Sequence, residues 1–210
     1  MTNPNSIVRL HSRNAGRASV YEANMAYQVY DNGLLKGDGV VPASGLNITV
    51  GGAPAKPDVV VALTADDYRI ALDLAGTATL TLTAPSSNKK IVAIVAYTDD
   101  LAEESTDTST TGNPSSCGLI AVDGTVAADP TAPDDTAIRT AITADGATGS
   151  QAAYAVIALV TLTSATTTIT STNIENQDAS FIKVVPESAI DDLIGTPLAP
   201  GHFIVGYKES

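Results

Sequence analysis

The chain has 210 residues, of which 44% are hydrophobic and only 4% aromatic, and its 23 acidic against 11 basic residues give a net charge of −12. The hydrophobic content excludes a disordered chain, and the acidic excess argues against binding to nucleic acid or to an anionic membrane, since both need clustered Lys and Arg. Ala, Thr and Val dominate, and such small and β-branched side chains favour pleated sheets, so we expect a mostly β protein, a β-sandwich-like domain with one or two short helices.

The N-terminal segment, residues 1–20, is mostly polar and holds three arginines, Arg9, Arg13 and Arg17. We interpret it as a docking arm whose arginines could pair with an acidic partner surface. A solvated basic arm is the alternative interpretation. The segment lacks the apolar run of a signal peptide, which favours assembly inside a cell.

The first half of the chain shows a series of predicted strands. Residues 20–35 have an ambiguous period and are interpreted as a short helix or strand that ends at the Asn32-Gly33 turn. Residues 46–50 alternate apolar and polar, as in a half-buried strand. The apolar run Val59–Leu63 predicts a further strand, and residues 68–74 alternate again after a turn.

Three more strands are predicted farther along the chain. The stretch GTATLTLTA places Leu80 and Leu82 inward and its threonines outward. The run Ile91–Tyr97 is short and continuously apolar, which is typical of a strand buried on both faces. A short strand is expected at Gly118–Val122.

The segment AVDGTVAADPTAPDD, residues 121–135, is short, acidic and punctuated by proline. We interpret it as the end of a strand, an extended crossing held by Pro130 and Pro133, and the cap of a short helix formed by Asp134 or Asp135. This predicts an ordered backbone, exposed acids and no catalytic role.

The last third of the chain holds the longest β-like tract. Residues 151–163 predict one strand, and the residues after Ser164-Ala165 predict another that runs through Ile169. In the tail, Pro186 and Gly195 frame a short helix, and a final strand is expected near the C-terminus.

The sequence shows no convergent set of catalytic residues, so we predict that the protein is not an enzyme and has no catalytic residue, cofactor or metal site. The two histidines, His11 and His202, are far apart in sequence and have no motif around them. Cys117 is the only cysteine, which rules out an intrachain disulfide, and we interpret it as an inert small residue at a strand start.

Carboxylates crowd one predicted loop, residues 99–116. Two interpretations are open, a solvated acidic loop and a Ca²⁺ site, because calcium prefers several oxygen ligands but the spacing does not match an EF-hand. The acidic residues are Asp99, Asp100, Glu103, Glu104 and Asp107.

Four stretches, in this order, resemble the virion-attachment module of tailed-phage baseplate (upper baseplate) and tail-fibre proteins. They are YEANMAYQVYDNGLLKGDGVVPASGLNITV, KKIVAIVAYTDD, GLIAVDGTVAADPTAPDD and YAVIALVTLTSATTTITSTNIENQD. Two departures from the family pattern are Ser164-Ala165 in place of a glycine turn and ENQD in place of a terminal Asp-x-Arg. A coiled coil and a receptor-binding head usually follow this module, whereas only residues 179–210 follow it here.

The resemblance implies a structural virion protein of the tail, baseplate or fibre that mediates attachment and assembly. It implies residues 21–178 as a β-sandwich virion-attachment module after the arm, and residues 179–210 as a C-terminal extension. It also implies a homo-oligomer, commonly a trimer in that family, with other virion proteins as partners and a location in a particle assembled in the host cytoplasm. Two alternatives are a carbohydrate-binding module for a host-surface glycan, with a row of exposed tyrosines, and a capsid head-fibre or decoration protein.

Overall fold

A computed structural model describes residues 8–10, 25–52, 56–65, 68–99 and 117–180 of the chain. These residues form two antiparallel sheets that enclose a common core, together with one α-helix and two short 3-10 helices. The mostly β, sandwich-like fold expected from the composition is therefore confirmed.

The described residues contain eleven strands, one α-helix and two 3-10 helices. The strands in chain order are β1 (Val8–Leu10), β2 (Gly33–Lys36), β3 (Val40–Pro42), β4 (Asn47–Val50), β5 (Asp58–Leu63), β6 (Arg69–Leu74), β7 (Ala78–Thr81), β8 (Lys89–Thr98), β9 (Cys117–Asp123), β10 (Ala153–Thr163) and β11 (Ile174–Asn176). Helix α1 (Asp135–Ala144) lies between β9 and β10, and the 3-10 helices span Met25–Val29 and Ser171–Asn173. The ambiguous segment 20–35 thus contributes both a short helix and a strand.

The large sheet has the strand order β1-β6-β5-β10-β8-β9, and it splits between β5 and β10. These two strands pair directly only at Leu63 and Tyr154. Beyond that point β2 pairs with β5 and β11 pairs with β10. Leu34 of β2 pairs with the residues that follow β11, since its N–H donates to the Gln177 carbonyl and its own carbonyl accepts from the Ala179 N–H, each at 2.7 Å.

Strand β8 is buried on both faces, as the apolar run predicted. Val92 and Ile94 face the inner core between the two sheets. Val95 and Tyr97 face the opposite way, onto a second core that α1 covers with Ile138 and Ile142. Because side chains alternate between the faces of a strand, one sequence run supplies both cores.

The small sheet has the order β3-β4-β7 and closes the inner core from the other side. Ile48 and Val50 of β4 are buried in this core, and Leu80 and Leu82 also face it. The threonines of the GTATLTLTA stretch are exposed, which confirms the predicted alternation.

Helix α1 begins where the acidic segment predicted a cap. The Asp134 side chain accepts a hydrogen bond from the Ala137 N–H at 2.8 Å and so satisfies a donor of the first turn. The sequence DTAIRTAITA is rich in Thr and Ile, which are mediocre helix formers, so packing of its apolar face must supply most of its stability.

Two local predictions are wrong. The residues after Ser164-Ala165 form a turn rather than a strand through Ile169, and pairing resumes only at Ile174. Thr163 and Thr166 bond each other locally through backbone and hydroxyl groups, and such bonds compete with a sheet ladder. The residues of this turn are instead anchored by the Ile169 N–H, which donates to the Gly45 carbonyl at 2.8 Å.

The crossing between β9 and α1 is also less extended than predicted. Thr125 and Thr131 close a loop through three hydrogen bonds: from Thr125 N–H to the Thr131 carbonyl, from Thr131 N–H to Thr125 Oγ1, and between the two hydroxyl groups. Ala127 then pairs with Lys89 at the start of β8. The backbone is held at several points, although by loop closure and not by proline alone.

Helix packing can be tested by truncating its most buried side chain. Replacing Ile142, which has no exposed surface, by Ala should lower the free energy of unfolding by about 2–5 kcal/mol, because it leaves a cavity against β8. The exposed Thr140→Ala change on the same helix should alter it by less than about 1 kcal/mol. Equal effects of the two changes in urea unfolding would contradict this packing.

Candidate functional site

The predicted docking residues are only partly within the described structure. The Arg9 backbone lies in β1, opposite Asp73 of β6, so this part of the arm belongs to the large sheet. Arg13 and Arg17 lie outside the described residues. The same holds for the acidic loop beyond Asp99 and for the tail beyond residue 180, with its predicted helix and strand.

A buried carboxylate lies at the start of β5 and was not singled out from the sequence. Asp58 is only 3% exposed, and its Oδ2 accepts a hydrogen bond from the Gly39 N–H at 3.0 Å. A Cβ at Gly37 would lie 2.1 Å from this carboxyl group, and one at Gly52 would lie 2.6 Å from its Oδ1. The glycine-rich sequence KGDG is therefore required for the loop to close over Asp58.

The surroundings of Asp58 shift its pKa. Burial raises the pKa of the Asp58 carboxyl above its usual range, the N–H groups of Gly39 and Asp38 oppose that shift, and the Asp38 carboxylate adds to it. An open cleft of about 390 Å³ borders the group and is also lined by the exposed Lys36 and Lys56. Since Asp58 accepts backbone hydrogen bonds from the loop that follows β2, it acts as a clamp between that loop and β5.

Two tyrosines fasten α1 to the large sheet at its two ends. The Tyr97 hydroxyl donates to Asp145 Oδ2 at 2.6 Å, and the Tyr154 hydroxyl donates to Asp135 Oδ1 at 2.8 Å. The pKa of Tyr97 is raised mainly by burial and further by the hydrogen bond to Asp145. The pKa of Tyr154 is raised to about 12, again mainly by burial and further by the hydrogen bond to Asp135. Both phenols therefore stay protonated near neutral pH and serve as structural donors.

Arg139 completes this attachment on the exposed side of the helix. Its guanidinium carbon lies 5.2 Å from the centre of the Tyr154 ring, and its Nε donates to Asp135. Its Nη1 also donates to the carbonyls of Gly149 and Ala152, which connects the helix to the start of β10.

A second open cleft, of about 460 Å³, lies between the end of β9 and the start of α1. Its acidic residues already have structural partners. Asp123 Oδ2 lies 2.6 Å from Nζ of Lys90, whose side chain is only 4% exposed, and Asp134 caps the helix. The cleft lining thus serves to join β8, β9 and α1.

The part of the chain that the structure describes contains no group of three or more His, Cys, Asp and Glu side chains that could hold a metal ion. Asp99, the first acid of the predicted loop, accepts a hydrogen bond from the Thr148 N–H at 2.7 Å. Cys117 is buried, with its Sγ 3.1 Å from Thr98 Oγ1.

Among the residues that the structure describes, no helix has both the length and the apolar character needed to cross a bilayer.

The four stretches quoted above for their resemblance are neighbours in the fold. The second, third and fourth supply β8, β9, β10 and β11, which lie side by side in the large sheet. The end of the fourth meets the first, because Asn176 Oδ1 accepts from the Val40 N–H at 3.0 Å and its Nδ2 donates to the Val40 carbonyl at 3.4 Å. The four stretches thus form one connected unit.

Comparisons of this chain with models of protein families, with curated proteins and with solved structures find no match.

The Asp58 clamp predicts a pH dependence of stability. Because the pKa of Asp58 is raised in the folded state, its contribution is fully present below the unfolded pKa, about 3.9, and is lost as pH rises through the folded value. Relative to an Asp58→Asn variant, the wild type should therefore lose stability as pH rises from about 3 to 7. Urea unfolding of both proteins across this range measures the difference, and a wild-type free energy of unfolding that rises relative to that of the variant as pH increases would contradict the raised pKa.

Proposed function

We propose that this protein is a non-enzymatic structural component of a tailed-phage virion, in the tail, baseplate or fibre, and that it serves attachment and assembly. The observation that carries the proposal is the contact between the four resembling stretches. They meet as adjacent strands and through the Asn176–Val40 pairing, so they form one module in which each stretch has a structural place.

The polar side chains of the described residues support the same role. Asp58 clamps a loop, Tyr97 and Tyr154 fasten the helix, and Lys90 with Asp123 ties β8 to β9. An enzyme site instead needs polar groups that converge on a space for substrate. Here these groups are committed to internal contacts, as suits a scaffold that must keep its shape inside a larger assembly.

The N-terminal arm is the proposed attachment point. Its residues 8–10 form β1, which is firmly placed against β6. A segment that is anchored in the sheet at one point can transmit a load from the partner surface to the core of the module. The arginines of the arm would contact an acidic surface of a neighbouring virion protein.

The carbohydrate-binding alternative gains no support from the described tyrosines. Tyr68 packs against the inner core, Tyr97 is buried under α1, and Tyr154 bonds Asp135. Tyr27 and Tyr30 are half-buried beside β6.

A head-fibre or decoration protein would use the same scaffold, and the position of the chain in the particle distinguishes it from a tail component.

The attachment role can be tested by neutralising the arm. A variant with Arg9→Ala, Arg13→Ala and Arg17→Ala, produced in the phage that encodes this chain, should be incorporated into purified particles at less than about a tenth of the wild-type level, because three charge-assisted contacts are lost. Quantitative mass spectrometry of the particles provides the measurement.

A matched control removes the same charge elsewhere. The variant Lys36→Ala, Lys56→Ala, Lys89→Ala changes three exposed lysines of the described surface and should be incorporated normally. Equal incorporation of both variants would show that the arginines do not mediate docking.

A further inference from the structure

The small sheet is uncharged, although the chain as a whole is strongly acidic. Residues 39–55 and 74–88, which contain β3, β4 and β7, include no Asp, Glu, Lys, Arg or His. The rest of the chain carries the whole net charge of −12. Two copies of this protein would repel each other over most of their surfaces, and the small sheet is a place where that repulsion is smallest.

The two edges of the small sheet differ. At the β3 edge, the Asn176 side chain bonds both the N–H and the carbonyl of Val40, as a neighbouring strand would. Pro42 ends the same strand and has no N–H to donate. Both features are ways in which proteins block the addition of a further strand.

The β7 edge lacks such protection. Leu82 N–H donates to the Leu46 carbonyl, and the register pairs Leu80 with Ile48. Since hydrogen-bonded and non-bonded pairs alternate in an antiparallel ladder, the backbone groups of Thr79 and Thr81 point away from β4. In the described part of the chain, β7 ends the sheet, and these groups have no strand beside them.

Side chains at the β7 edge are suited to pairing on both faces. Thr77, Thr79, Thr81 and Thr83 are exposed on the outer face. On the inner face Leu80 contacts the core but is only partly buried. A strand placed beside β7 would therefore cover apolar surface of Leu80 as well as satisfy the backbone.

We propose that β7 is a self-association edge that pairs antiparallel with β7 of a second copy of this chain. The pairing is two-fold, because the β3 edge is blocked and a head-to-tail arrangement would need it. It centres on Leu80, so that Leu80 lies opposite Leu80 of the second copy and Thr79 lies opposite Thr81. The two small sheets then form one continuous six-stranded sheet with an inner leucine contact and an outer threonine face.

Sedimentation of the full-length protein over a series of concentrations tests this association. The wild type should form a reversible dimer. The Thr79→Asp change should raise the dimer dissociation constant roughly tenfold, since it places carboxylates at the two-fold edge. Val41→Asp adds the same charge at an exposed position on β3 and should leave the constant within about twofold of wild type.

Cysteine cross-linking tests the register. In an antiparallel pair the Cα atoms of directly opposite residues lie about 4.5–5.5 Å apart, in non-hydrogen-bonded and hydrogen-bonded pairs alike within reach of a disulfide, and the native Cys117 is buried. Leu80→Cys should give a covalent dimer on oxidation, whereas Thr49→Cys, on the middle strand, should not. The exposed double variant Thr79→Cys, Thr81→Cys leaves the core side chains intact and should cross-link as well.

Three results would overturn the proposal. They are a wild type that stays monomeric at all concentrations, an oligomer whose dissociation constant Thr79→Asp leaves unchanged, and a failure of the exposed double-cysteine variant to cross-link. The proposal concerns this chain alone and holds or fails independently of its place in a virion.

Discussion

Burial of β8 on both faces is the constraint on which the other elements depend. Within Lys89–Thr98, the side chains of residues 92–97 alternate between the inner core and the second core, which α1 covers. The inner side requires a second sheet to cover Val92 and Ile94, and the outer side requires α1 to cover Val95 and Tyr97. This arrangement stabilises the fold because it removes apolar surface from water on both sides of one strand. Polar groups at its ends, Lys90 and Tyr97, are satisfied by carboxylates of β9 and of the residue that follows α1.

The connections are held by polar side chains that imitate or complete the backbone pairing. Asp58 closes the loop after β2, Asn176 pairs with Val40 as a strand would, and Thr125 with Thr131 closes the segment before α1. Periodicity cannot relate the partners of the first two contacts, because they lie far apart in sequence, whereas the two threonines lie six residues apart within one loop. Together they hold these described loops in place in a chain with few aromatic side chains.

Features that depend on local sequence could be predicted. The two-sided burial of β8, the alternation around Leu80 and the cap at Asp134 each follow from a pattern of a few residues. The turn after Ser164-Ala165 could not be predicted in this way. Its Thr side chains favour strands by propensity, whereas in the structure their hydroxyls bond the local backbone. The sequence indicates the Asp58 clamp only weakly, by a charged residue at the start of an apolar run that lies downstream of the glycine-rich KGDG. Its pairing with Gly39 is long-range and needs the register of β2 with β5.

We propose that the N-terminal arm serves attachment and that the uncharged edge of the small sheet serves self-association, while the polar contacts named above hold the module together. The most direct test of the proposed function is a cryo-electron microscopy map of the virion that would contain this chain. We expect density for the two-sheet module with α1 on its outer side, present in several copies at the tail or baseplate. Particles that contain no copy of the chain, while it accumulates in the soluble fraction of the lysate, would contradict it.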